Sequence, residues 1–192
     1  MPKNRSELES TYSNACDQGS YRVMLSGRYE KNTAQTVPGF LHFGKASLLY
    51  ELDVLSVDNE TSYLSQYATC LWFDGIPNKT GDTFRAAYEW VLDVKEDLRG
   101  QGAGSFYFLV QTKVLPRYGV SQIWLSAEYF GPRFWKKRGF KFVDDTFWLH
   151  YDEYCEFNSD APKTRNVDEV PVEYFNELRG SGLKYSMVYN FN

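Results

Sequence analysis

Six residues near the middle of the chain, Arg99-Gly100-Gln101-Gly102-Ala103-Gly104, have the makings of an anion-holding loop. Glycines let backbone N–H groups come close to a ligand, and a helix opening beside them adds positive potential at its N-terminus. The flanking segments have the periods such a device needs. Residues 84–94 (FRAAYEWVLDV) read as a strand, and Phe106, Val110 and Val114 then recur every four positions, which predicts a helix over 103–115. Two common phosphate motifs are excluded. No Gly-Lys-Ser/Thr follows, so this is not a P-loop, and counting from Gly100 puts Ser105 where a dinucleotide fingerprint has its third glycine.

The loop does fit the pattern R/Q-x-x-G-x-G/A, with Arg99, Gly102 and Gly104 at its defining positions. Upstream, Leu92-Asp93-Val94-Lys95-Glu96-Asp97-Leu98-Arg99-Gly100 ends the strand; downstream lies Phe134-Trp135-Lys136-Lys137-Arg138-Gly139-Phe140. Together these resemble the GNAT superfamily of acyl-CoA N-acyltransferases: V-x-P-x-x-R-G, with Glu96 in place of the proline, and F-Y-E-K-x-G-F. The resemblance is specific over 84–154, loose over 21–73 and absent over 156–192.

The resemblance implies an α+β fold: a GNAT-like mixed, twisted central sheet splayed between strands 84–94 and 121–127, with helices on both faces and an extra C-terminal helix and strand. Residues 1–155 would form the acetyltransferase domain, and 156–192 an extension packing on it or on a partner subunit. Coenzyme A would lie in the splay. Backbone amides around Arg99, Gly100, Gln101, Gly102, Ala103, Gly104 and Ser105 would hold its pyrophosphate, and the main chain of Leu92, Asp93 and Val94 would pair with the pantetheine arm. Phe134 and Trp135 would complete the cofactor side. The implied activity is transfer of an acetyl group from acetyl-CoA, by direct attack, to a primary amine, with a small cationic amine as the first choice of acceptor. A macromolecular amine (a protein lysine or N-terminus, or an aminoacyl-tRNA) is the alternative, and a non-catalytic module that only binds coenzyme A is a third reading. No metal is implied.

Direct transfer needs a neutral amine, a polarised carbonyl and a way for the thiolate to leave. By strict alternation Glu89 shares a face with Ala87, Val91 and Asp93. Glu89 is the candidate base, against the plain reading of a salt-bridged strand carboxylate. The tyrosine that often protonates the thiolate in this family maps to Trp135, whose indole is no acid at neutral pH. The usual asparagine and alanine map to Glu128 and Gly131. Either the thiolate leaves unassisted or Tyr129, at the end of strand 121–127, is the candidate acid, against a packing role beside the short helix. Arg133, Lys136, Lys137, Arg138 and Lys141 either meet the nucleotide 3′-phosphate or form a solvated helix face.

Positioning these groups requires a folded domain, and the 192 residues suffice for one. A capping-box spacing at Ser6 and Glu9 predicts a helix over 7–17. Strands are expected at 21–29, 46–57 and 62–73, the last two joined by a turn at Asp58–Glu60, with a loop over 30–45 and a turn cluster over 74–83. After the loop and its helix come a strand (121–127), a short helix (132–138) closed by Gly139, and strands at 140–143 and 146–154. A polar linker (156–168), a helix (171–179) and a strand (183–191) end the chain. In that strand Tyr185, Met187, Tyr189 and Phe191 alternate and should pair with a sheet edge, of their own sheet or of a second copy in a homodimer.

Composition limits the alternatives. Three cysteines and two histidines without close spacing exclude a disulfide scaffold and a zinc centre, and the cysteines read as small buried hydrophobes. His42 and His150 read as structural. No apolar run approaches the roughly 18 residues of a membrane span, and the first twenty residues lack the apolar stretch of a secretory signal, so a cytoplasmic setting is expected. Net charge is −4, but residues 143–192 hold 10 Asp and Glu against 4 Lys and Arg. That balance argues against a general nucleic-acid binder and is compatible with a cationic partner.

Overall fold

The computed structural model describes residues 1–16, 20–37, 44–77 and 80–191; His42, the Pro38–Gly39 pair and residues 78–79 of the turn cluster lie outside these. The elements are α1 (Arg5–Ala15), β1 (Tyr21–Lys31), β2 (Leu48–Ser56), β3 (Ala68–Pro77), β4 (Thr83–Val91), α2 (Ala103–Val114), β5 (Val120–Ala127), α3 (Gly131–Lys136), β6 (Lys141–Phe142), α4 (Thr146–Phe157), α5 (Val172–Leu178) and β7 (Tyr185–Asn190). It is a mixed α+β fold. The chain divides into two compact units, Met1–Ile123 with Phe191–Asn192, and Trp124–Asn190.

In the first unit β1 to β4 are antiparallel neighbours in chain order, and β5 follows β4. Residues Leu48, Tyr50 and Leu52 of β2 alternate with Leu49, Glu51 and Asp53, so the two sets lie on opposite faces. Tyr50, together with Cys70 and Trp72 of β3, faces α1 and α2, where Tyr12 meets Tyr50. Three bulges interrupt the ladder, one of them setting Asp74 and Gly75 of β3 opposite Arg85 of β4. In β1, Leu25 pairs with Leu52 and Tyr29 with Tyr50, so Ser26, Gly27 and Arg28 together oppose Glu51. In β4, Cys70 pairs with Glu89 and Thr69 with Val91, which leaves Trp90 unpaired.

The second unit sets β7 between β5 and β6, antiparallel to β6 with Lys141 opposite Val188 and Phe142 opposite Met187. Its core is aromatic: Phe147 and Tyr151 of α4 pack with Tyr174 and Phe175 of α5 and Tyr185 of β7. The alternation expected of the last strand is seen in its buried Tyr185 and Met187.

Several sequence expectations are corrected. The first helix starts at Arg5, and its cap is Asn4, whose side chain accepts from the Glu7 amide at 2.9 Å; Glu9 pairs with Arg5 rather than closing a capping box. The third strand begins at Ala68 instead of residue 62; Ser62 and Leu64 make only single bridges, to Leu55 and Val94. Segment 146–154 is not a strand but the first nine residues of helix α4. Its aromatics have high strand propensity, but Phe147 and Tyr151 sit four apart and gain a buried helical face against α5, and tertiary packing outweighs local preference. On α2 the buried residues are Ala103, Gly104, Tyr107, Val110, Gln111 and Val114, with Phe106 only half-buried. Of the cysteines only Cys70 is fully buried; Cys16 and Cys155 are half-buried.

Candidate active site

The glycine loop is built from the end of β4. The strand stops at Val91, three residues before the expected end, because the chain turns to meet residues 63–65: the Ser65 amide donates to the Asp93 carbonyl and the Lys95 amide to the Tyr63 carbonyl, both at 2.9 Å. By the alternation of extended backbone, Leu92 and Val94 direct their peptide groups the other way. Of the three residues expected to offer main chain to an extended ligand, Asp93 is thus committed to its own sheet. Arg99 folds back on this segment, its Nε donating to the Val94 carbonyl at 3.0 Å and its guanidinium pairing with Asp93 at 3.1 Å.

Gly100 and Gly102 both have left-handed backbone, φ +81° and +103°, which only glycine adopts without strain. Gly102 is the N-cap of α2, and no side chain caps the helix, so its first-turn amides at Ala103 and Gly104 have no intrahelical acceptor. The loop is braced from β1. The Tyr21 hydroxyl donates to the Gln101 carbonyl, and the Tyr21 ring packs on Phe106 (5.5 Å) and Tyr63 (5.1 Å). In a planar trans peptide the N–H points opposite the C=O, so this bond aims the Gly102 amide away from Tyr21. An uncapped twelve-residue helix preceded by two left-handed glycines has the donors and the dipole to hold a phosphate or pyrophosphate. Tyr21 carried no signal of this role in the sequence beyond being one tyrosine among fifteen.

Behind the loop, Glu89 is buried at 5% exposure, on the face covered by α2. Tyr107 donates to Oε2 at 2.6 Å; the Gln111 amide donates to Oε1 and, at 2.9 Å, to the Tyr107 oxygen. Gln111 in turn accepts from Tyr12, which stands 2.9 Å from the Tyr50 hydroxyl, and Tyr50 accepts from the Trp72 indole at 2.9 Å. Each hydroxyl has one proton, so every donor in this chain points toward the Glu89 carboxylate. Burial nonetheless raises the Glu89 pKa from the usual carboxylate range to about 7, against the opposing pull of the bonds from Tyr107, Gln111 and Cys70. Burial likewise pushes the Cys70 thiol well up. Tyr107 and Gln111 were not singled out from the sequence; their spacing of four on α2 was the available signal.

The bulge at Trp90 revises which side chains share a face. Glu89 lies with Cys70, whereas Val91 lies with Thr69 on the opposite face, so strict alternation through 84–94 does not hold.

The remaining candidates belong to the second unit. Tyr129 has left-handed backbone (φ +49°); its hydroxyl donates to Asn176 of α5 at 3.3 Å and its ring packs on Phe130. Trp135 is buried among Phe134 and Phe140. At Gly131, where the resemblance expects alanine, a β-carbon would lie 3.2 Å from that of Ala127, and Glu128 pairs with Lys184 at 2.5 Å. The basic cluster is largely engaged: Arg133 and Lys137 pair with Asp168, Arg138 stacks on Phe134 at 3.4 Å, and Lys136 lies over Phe142. His150 bonds to Tyr185 at 3.2 Å in the aromatic core.

Among the described residues no group of three or more His, Cys, Asp and Glu is arranged to hold a metal, and no helix is long and apolar enough to cross a membrane. No family model and no curated protein matches the chain. Solved structures with partial likeness include Arabidopsis thaliana Naa50 in complex with the bisubstrate analogue CoA-Ac-MVNAL, at 14% identity over 73% of this chain and 72% of that one, TM-score 0.42. The KacTA–DNA complex aligns at 16% identity over 65% and 87% of the two chains, TM-score 0.44. The NatC complex bound to Gag peptide and CoA aligns at 12% identity over 74% and 71%, TM-score 0.40.

Proposed function

We propose that the chain is an acetyl-CoA-dependent N-acetyltransferase acting on a primary amine. The observation that supports this most is the loop itself: two left-handed glycines opening an uncapped α2, directly after a bulged β4, in a sequence that resembles the acyl-CoA N-acyltransferases. In this reading the amides from Gln101 to Ser105 bind the pyrophosphate, and the outward peptide groups of Leu92 with the amide of Val94 orient the pantetheine arm as an added strand. Acetyl-CoA, when bound, supplies an activated thioester whose C–S bond breaks as the N–C bond forms. Glu89 is the base that takes the proton of the incoming amine through water. A pKa of about 7 suits that work, because the carboxylate is then both populated and basic near neutral pH.

A second reading of Glu89 has its own support. Both its oxygens accept from α2, so the carboxylate would hold that helix, and hence the loop, in place. For the acceptor, a small amine, cationic in water, is the first choice, and a protein or aminoacyl-tRNA amine is the alternative. The test is an amine panel with acetyl-CoA, followed by mass spectrometry of the products and by thiol release. Acetylated product at turnover above the uncatalysed rate is expected; tight acetyl-CoA binding with no transfer to any amine would leave a binding module instead.

A further inference from the structure

On the face of the sheet away from α1 and α2 lies a pocket of about 320 Å³, walled by Arg28, Glu51, Gln66, Tyr67, Thr69 and Trp90. Resting on the acetyltransferase reading above, we propose that this pocket receives the carboxylate end of the acceptor while its amine lies at the end of β4, and that Arg28, clamped by Glu51, selects amines that also carry a carboxylate.

The pocket joins the bulge around Glu51 to the bulge at Trp90. At one end are Thr69, Val91 and the unpaired Trp90, immediately before the Leu92–Val94 segment assigned to the pantetheine arm. At the other end β1 bulges around Glu51, with Gly27 at φ +76°. A β-carbon on Gly27 would collide with Glu51 Oε2 and stand 2.9 Å from the Tyr67 ring, so this approach of backbone to carboxylate requires glycine. The bulge brings two Arg28 donors onto Glu51, the amide at 3.0 Å and Nε at 2.7 Å. Holding the guanidinium by its Nε edge fixes the plane of the group. Among the described residues its two Nη groups donate to nothing, and they form the two-donor fork that matches a carboxylate.

The charges point the same way. Arg28 and Glu51 neutralise each other and are, among the described residues, the only charged ones lining the pocket, so a purely cationic acceptor meets as much repulsion as attraction. A carboxylate gains two charge-assisted bonds. β1 and β4 are three strand spacings apart, about 14 Å, part of which the arginine side chain spans. The acceptor's amine and carboxylate must therefore be several bonds apart, as in an ω-amino acid or a short peptide and not in a free α-amino acid.

The experiment compares 6-aminohexanoate, hexylamine and 1,6-diaminohexane as acceptors with the full chain. The proposal expects kcat/KM to favour 6-aminohexanoate by about tenfold or more, the worth of one charge-assisted bidentate contact. Arg28→Met should bring that ratio to near one, with acetyl-CoA affinity kept, and Arg28→Lys, which retains charge without the fork, should fall between. Calorimetry of 6-aminohexanoate alone gives a readout independent of the chemistry. Binding that Arg28→Met removes supports the pocket even if no acetyl group moves, in which case the acetyltransferase reading is what fails. Transfer that proceeds with no preference for the carboxylate, or with a preference that Arg28→Met leaves intact, overturns the pocket and spares the activity.

Discussion

Two glutamates on neighbouring stretches of one sheet show how differently the same side chain is used. Glu89 and Glu51 both have both oxygens occupied, and they stand on opposite faces. Glu89 is buried under α2 with neutral partners only, and burial lifts its pKa to about 7. Glu51 is clamped to an arginine at the wall of a pocket. Neutral donors in a dry site leave a carboxylate able to exchange a proton near neutral pH; a guanidinium beside a carboxylate fixes the geometry of both groups. The first arrangement suits proton transfer and the second suits recognition.

That contrast is broken most directly by exchanging each carboxylate for its amide. Glu89→Gln should lower kcat by about 10²-fold or more, the usual worth of a positioned base, with acetyl-CoA affinity little changed. Glu51→Gln should instead leave kcat nearly intact and raise KM for a carboxylate-bearing acceptor by about tenfold, since it loosens only the Arg28 fork. If Glu89→Gln keeps kcat within about threefold and weakens acetyl-CoA binding, Glu89 is the anchor of α2 and not the base.

The pH behaviour sharpens the same point. Activity carried by the Glu89 carboxylate should fall on the acid side with a midpoint near pH 7, and Glu89→Gln should erase that limb. Stability should move the opposite way. The folded-state pKa of Glu89 lies above its unfolded value, so its contribution is fully present below about pH 4.5 and is lost as pH rises through about 7, by roughly 3 kcal/mol. Denaturant titrations of wild type and Glu89→Gln at pH 4.5 and 8 measure it; equal slopes with pH would show Glu89 titrating as an ordinary carboxylate.

A smaller effect is expected from Tyr107→Phe. It removes one donor to the carboxylate, so the acid limb should move up by up to about one pH unit, with folding little disturbed. No movement would mean that Tyr107 does not bond the ionised form.

Much of this was legible in the sequence. The strand–glycine loop–helix order and Gly100, Gly102 and Gly104 are local features, and local chemistry survives folding. Glu89 was legible as a candidate, but its surroundings were not, because Tyr107, Gln111, Tyr12 and Tyr50 reach it from three other elements. The Arg28–Glu51 clamp was hidden for a related reason. A bulge inserts residues without any sequence period, and Gly27 reads as an interruption of a strand until its partner strand is in place. The helix α4 was missed because aromatic residues favour strands in isolation, whereas Phe147 and Tyr151 are fixed by α5 and β7, far along the chain.

The central claim is that the loop before α2 binds the pyrophosphate of acetyl-CoA through backbone amides, and calorimetric titration of acetyl-CoA into wild type and Gly104→Val tests it most directly. The account predicts saturable binding to the wild type and a loss of at least about a hundredfold in the variant, with circular dichroism showing both folded. Unchanged affinity in a folded Gly104→Val protein, or no binding by the wild type, would contradict it.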